Sequence, residues 1–162
     1  MLEFNSKRKE LVSSPFLVDS VIDRLNNATV LVDTGCNAVG VINSEYTRQH
    51  KLRRVPIKPR NIYAYDDRPA EKVEAVVKAD VDVGGLRSTT FLYEVRHVED
   101  QDIILGTPWM DKNEVVIDVR EKALTFKRHG ITVRAVLPEQ QISMISAAGF
   151  KFWKMKAMDH RE

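Results

Sequence analysis

From residue 16 onward, the apolar positions have the texture of strands. Residues 16–22 are rich in Val, Ile and Leu, Arg24-Leu25-Asn26-Asn27 has turn chemistry, and residues 28–32 return as a second strand. Residues 39–42 read as a short buried strand, with Asn43 or Ser44 capping a brief helix over residues 45–50. Pro56 and Pro59 interrupt the pattern and predict a connection. A strand over residues 61–65 and a turn at Asp66-Asp67-Arg68-Pro69 follow. The clearest alternation spans residues 72–83 and puts Val73, Ala75, Val77, Ala79, Val81 and Val83 on one face. Gly84-Gly85 is a two-residue hairpin signal, and residues 86–95 supply the returning strand. Beyond Gly106, Thr107 predicts the cap of a short helical turn with Pro108 in its first position. Residues 115–119 and 123–126 form a hairpin around Arg120-Glu121-Lys122, and residues 131–137 add a strand.

Only the ends differ in character. Residues 1–14 are polar and charged and read as a flexible leader. From residue 138 on, Ile142, Ile145, Ala148 and Phe152 recur at spacings of three and four, which predicts an amphipathic helical tail or linker over residues 138–162. Gly149 falls inside that pattern, at a cost to the helix of about 1 kcal/mol. The expected organisation is one all-β domain over residues 15–137, without internal repeats, carrying a helical C-terminal tail.

A length of 162 residues fits one domain. A net charge of +2 with 30% charged residues argues against a dedicated nucleic-acid binder, so no nucleic acid is required as a partner. No apolar stretch approaches the roughly 20 residues that cross a bilayer, so no membrane partner is expected. Lys7-Arg8-Lys9 is not followed by the apolar run of a signal peptide. The single cysteine, Cys36, leaves no intrachain disulfide and fits a reducing compartment, hence an intracellular, cytoplasmic setting. His50, His97, His129 and His160 lack metal-ligand spacing with one another or with Cys36, so neither metal nor cofactor is expected. Asp66-Asp67 and Glu99-Asp100-Asp102 read as solvated turns, and Cys36 as a small buried packing residue.

Two segments carry chemistry. Val30-Leu31-Val32-Asp33-Thr34-Gly35 delivers one carboxylate onto a tight turn at the end of an apolar run. Asp102-Ile103-Ile104-Leu105-Gly106 sets a second apolar run against a glycine. An Asp-Thr-Gly triplet by itself is a common turn, but the ordered pair with hairpin sequence between them resembles the retropepsin family of aspartic proteases. Most of residues 16–137 shares the likeness, which looks nearest to proteases of gypsy-type LTR retrotransposons. Ile104-Leu105-Gly106-Thr107-Pro108-Trp109-Met110 resembles their Leu-Gly-x-Pro-Trp-Leu string, and Val116-Ile117-Asp118 with Ala123-Leu124-Thr125-Phe126 resembles the hairpin after it.

The resemblance implies a pepsin-type closed β-barrel with one lobe per chain, and catalytic residues Asp33, Thr34 and Gly35. Ile104, Leu105 and Gly106 would buttress the active-site loop. Thr34 would join interlocking hydrogen bonds beneath two aspartates, and Gly35 would leave room for substrate and allow a turn geometry closed to bulkier residues. One triplet per chain implies a homodimer with Asp33 of each copy meeting at the twofold axis. The implied substrate is a polypeptide, of Gag-Pol type. The flap is expected near Tyr63, Ala64, Tyr65 and Asp66. It departs from the family in lacking glycine between residues 63 and 72 while carrying Pro69, and Cys36 stands where alanine is common. The alternative is a catalytically inactive or domesticated dimerisation or peptide-binding module on the same fold.

Overall fold

The computed structural model of the chain describes residues 15–63, 69–96, 98 and 100–136. The leader and tail expected at residues 1–14 and 138–162 lie outside these, as do Ala64, Tyr65 and Asp66. Among the described residues, no helix is long and apolar enough to cross a membrane.

Strands β1 (Leu17–Ile22) and β2 (Asn26–Val32) form the first hairpin. Strand β3 (Gly40–Asn43) leads into helix α1 (Ser44–Gln49), where the Asn43 side chain accepts the Glu45 N–H at 2.8 Å as its cap. Strands β4 (Arg53–Tyr63), β5 (Pro69–Val83) and β6 (Leu86–Val95) make two long antiparallel hairpins. Strand β7 (Ile103–Leu105) runs into helix α2 (Thr107–Lys112), and β8 (Val115–Asp118), β9 (Ala123–Phe126) and β10 (Ile131–Arg134) form a separate three-stranded sheet.

The large sheet has the order β1-β2-β7-β3-β6-β5-β4, and β1 also pairs with β5 through Val21↔Asp82 and Ile22↔Val81. That pairing closes six strands into a barrel and leaves β4 outside it as the edge. The alternation read over residues 72–83 is realised: Val73, Val77 and Val83 are wholly buried on one face of β5. Val77 joins Ile22, Val30, Leu92, Ile103 and Leu105 at 0% exposure in the barrel core, each side chain worth about 1.5–3 kcal/mol of burial. Gly84 and Gly85 form the expected turn at φ +64° and +92°, backbone that other residues adopt at a cost. The small sheet covers the barrel with Leu124 and Phe126, and the Trp109 ring meets Phe126 edge-on, centroids 5.9 Å apart.

Three local expectations change. The first turn is centred on Asp23 and Arg24, both at positive φ, and Asn26 and Asn27 belong to β2. Tertiary bonds decide this: the Asp23 N–H donates to the Asp80 carbonyl and its carboxylate accepts the Asp80 N–H. The prolines at 56 and 59 lie within β4, not in a connection. An edge strand tolerates missing N–H groups, and the pairing is bulged between Pro56 and Arg60. Thr107 is the first residue of α2, whose cap position is Gly106 without a side-chain bond. The Thr107 hydroxyl donates to the Cys36 carbonyl instead.

Candidate active site

Asp33 stands where β2 leaves the sheet. β2 and β7 run parallel, with Val30↔Ile103, Leu31↔Ile104 and Val32↔Leu105 in register. The Asp33 N–H adds one more bond to that ladder by donating to the Leu105 carbonyl at 2.9 Å. The chain then turns sharply: the Cys36 N–H donates to the Asp33 carbonyl at 3.1 Å, and the Gly35 N–H to Asp33 Oδ1 at 2.8 Å. This second bond orients the carboxylate from its own loop. Asp33 is half-buried, while Thr34 and Gly35 are exposed at the loop tip. The Thr34 hydroxyl has no hydrogen bond among the described residues and keeps its donor free.

Gly35 is not in the left-handed region, so turn geometry is not what requires glycine there. A Cβ at that position would lie 3.2 Å from Asp33 Oδ1. Proximity to the carboxylate is the constraint.

The loop is clamped from the β7 side. A Cβ on Gly106 would run into the Ala38 carbonyl oxygen, come within 2.5 Å of the Cys36 carbonyl oxygen and reach 2.9 Å from Cys36 Sγ. The Gly106 N–H donates to the Val39 carbonyl, and the Thr107 N–H to the Cys36 carbonyl. Leu105 is fully buried in the core beneath. Leu105 and Gly106 thus pack against the Asp33 loop, whereas Ile104 points the other way and is half-buried on the opposite face. Cys36 is likewise half-buried, its thiol 3.7 Å from the Ala38 carbonyl. Burial pushes the thiol above its usual range, with the nearby Asp33 charge adding to the shift.

Ile104 belongs to a row that was not singled out in the sequence. Leu31 of β2, Ile104 of β7, Val41 of β3 and Tyr93 of β6 are in-register partners across four strands, and all four are half-buried. Leu31 lies two residues before Asp33, so the row and the carboxylate share a side of the sheet. Ile57 and Ile62 of β4 pack against the same cluster, around buried Val73, Val95 and Val98. The alternation Val30-in, Leu31-out, Val32-in was the available sequence signal.

Asp102 also differs from its expected role as a solvated turn. Its N–H donates to the Thr29 carbonyl at 2.9 Å, and its carboxylate accepts the Thr29 N–H at 2.8 Å. Its carbonyl accepts the Asn43 N–H. The side chain continues the ladder that seats β7 between β2 and β3. Burial raises its carboxyl above the usual range, opposed by the Thr29 bond and by His50.

Of the flap residues, Tyr63 ends β4 opposite Pro69 and is exposed, and the other three lie outside the described residues. Concavities of about 640 and 670 Å³ lie elsewhere, one bordered by Asp19, Asp82 and Asp102 and the other by Arg54, Glu74 and Glu94. Neither includes Asp33.

Residues 29–134 match the PEG10/RTL1 protease domain. No curated protein sequence is significantly similar to the chain. Among solved structures, the fold is similar to the retroviral protease-like domain of Ddi1 from Leishmania major, with a TM-score of 0.55 and 14% identity over 79% of this chain and 96% of that one. It is similar also to EIAV protease in complex with the inhibitor HBY-793, with a TM-score of 0.51 and 15% identity over 67% of this chain and 96% of that one. The match spans both the Asp33 loop and the Gly106 clamp, so the chain belongs to the retropepsin-like PEG10/RTL1 protease domain family.

Proposed function

We propose that the chain is an aspartic endopeptidase that works as a homodimer, with Asp33 of each copy meeting at the twofold axis. The observation that carries this reading is the single carboxylate of Asp33, oriented by the Gly35 N–H on a loop with an exposed tip and held by Leu105 and Gly106. Metal-free peptide hydrolysis by paired carboxylates needs two of them. One activates water as general base, and the other, protonated, donates a hydrogen bond to the scissile carbonyl. Like charges that close do not both ionise, so the pair shares one proton and titrates as a unit. The exposed, unspent hydroxyl of Thr34 supports a hydrogen bond across such an axis.

The half-buried row of Leu31, Val41, Tyr93 and Ile104 beside Asp33 supports a substrate with apolar side chains near the cleaved bond. The hairpin of β4 and β5 supplies the cover. The substrate is a polypeptide of Gag-Pol type, met in the cytoplasm. A non-catalytic dimerisation or peptide-binding module is the second reading, favoured by the absence of glycine from residues 63–72, where a mobile flap would be expected.

The test is turnover of a peptide library by the purified chain and by Asp33→Asn. The amide is nearly isosteric but cannot act as base, so activity should vanish while fold and dimer persist. Wild-type turnover in the variant would remove Asp33 from the mechanism. An inert wild-type dimer that still binds peptides would establish the second reading.

A further inference from the structure

The near-neutral charge of the chain averages over a segregated distribution. Between Glu45 and Asp66 the sequence holds Arg48, Lys51, Arg53, Arg54, Lys58 and Arg60 and no carboxylate, so the remainder of the chain is net negative. All six are exposed, and most of them lie on edge strand β4. Glu94 takes Arg54, and Arg60 donates to the Tyr93 hydroxyl at 3.1 Å. The other four form no salt bridge among the described residues.

Lysine, arginine and proline on an edge strand are the usual guard against pairing with another sheet. That accounts for β4 alone. It does not account for the strands beside it. Arg53 of β4 is in register with Lys78 of β5, and Lys78 with Phe91 of β6. In-register partners on neighbouring strands share a face, and all three side chains are exposed, Phe91 by 53%. A phenyl ring in water on an interior strand, within about 10 Å of two cations that form no ion pair among the described residues, is unexplained by packing or by edge protection. The next row, Val55, Val76 and Tyr93, is half-buried and extends the same face.

We infer that this outer face of β4, β5 and β6 binds single-stranded RNA, with Phe91 as a stacking platform for a base and Arg53 and Lys78 as phosphate contacts. Exposed aromatics between cations on an open sheet are how sequence-tolerant single-strand binders hold their ligand. An acidic peptide would use the cations but leave the ring without a partner. From Arg53 to Arg60 the strand runs about 23 Å, room for the four or so nucleotides at the small end of single-strand footprints. The face continues through Tyr93 into the apolar row beside Asp33, but its contacts, Arg53, Lys78 and Phe91, do not include that carboxylate.

The experiment is fluorescence anisotropy of the full chain with a labelled 12-nucleotide oligo-U at several salt concentrations. Oligo-dT, a duplex of the same length and polyglutamate serve as competitors. Oligo-U should bind saturably, with oligo-dT similar and the duplex and polyglutamate weaker. Phe91→Ala should weaken binding by about tenfold with the salt slope unchanged, and Phe91→Trp should restore it. Arg53→Gln with Lys78→Gln should reduce the salt slope by about 1.4, two phosphates at roughly 0.7 each. Asp33→Asn should bind as wild type. Binding unaffected by Phe91→Ala, polyglutamate competing as well as oligo-U, or no saturable binding would each overturn the inference.

Discussion

Gly106→Ala probes the clamp directly. The added methyl would meet the Ala38 and Cys36 carbonyl oxygens and Cys36 Sγ at 2.9 Å or less. Two of those atoms are backbone, so no side-chain rotation relieves them. The loop would have to shift as a body. That shift strains the N–H and hydroxyl bonds from Thr107 to the Cys36 carbonyl, each worth about 1 kcal/mol. Overpacking typically costs about 1–3 kcal/mol, and with those bonds strained the expected loss is about 3 kcal/mol. For a chain of this size that is on the order of 10 °C in Tm. The assay is urea denaturation at fixed protomer concentration, with the m-value checked for constancy. Two other glycines separate the causes. Gly85→Ala has open space around it but a φ of +92°, so it should lose only about 1–2 kcal/mol through backbone strain and leave peptidase activity intact. Gly35→Ala meets only Asp33 Oδ1, at 3.2 Å; it should barely change stability yet cut activity by turning the carboxylate. A loss below about 1 kcal/mol for Gly106→Ala would refute the clamp as derived.

Asp102 yields a pH prediction. Its folded carboxyl titrates above the unfolded value because burial disfavours the charge, so the native state binds more protons between the two values. Stability attributable to it therefore falls as pH rises through that window and is flat outside it. Asp102→Asn should flatten the slope in denaturation midpoints measured across mildly acid pH; an unchanged slope would mean the group does not titrate there. Peptidase activity should fall faster than linearly on dilution, as a site shared by two copies requires, and a fully active monomer in sedimentation would end the dimer proposal. The rate should peak in mildly acid solution and decline on both sides as the shared proton is lost or a second is gained; a monotonic rise into alkaline pH would exclude the shared proton.

Much of the fold was legible because burial and period agree. In β5 the residues Val73 to Val83 alternate without exception, and the core needs that face. The Asp33 loop was legible for a different reason: a short apolar run ending on Asp-Thr-Gly has few structural uses other than a strand that stops at a turn. What resisted reading depends on partners distant in sequence. Pro56 and Pro59 look like breakers until β4 is known to be an edge. Asp102 looks like part of a charged turn until Thr29, 73 residues away, presents an N–H that its carboxylate can accept. Ile104 and Leu105 look interchangeable in an apolar run, yet the pleat sends one into the barrel and the other toward the face that carries Asp33. In each case the residue type is permissive, and pairing decides.

The same logic explains why the chain points beyond itself. The barrel closes through β1 and β5, and β7 is held on both sides, so the fold's own hydrogen bonding around Asp33 is already complete. The features left unspent on the loop are one carboxylate oxygen of Asp33 and the Thr34 hydroxyl. Nothing among the described residues uses them, and the two concavities do not reach them. Under the proposed function, a second copy related by a twofold axis would bring its own Asp33 and Thr34 to face these groups, the simplest partner that answers them.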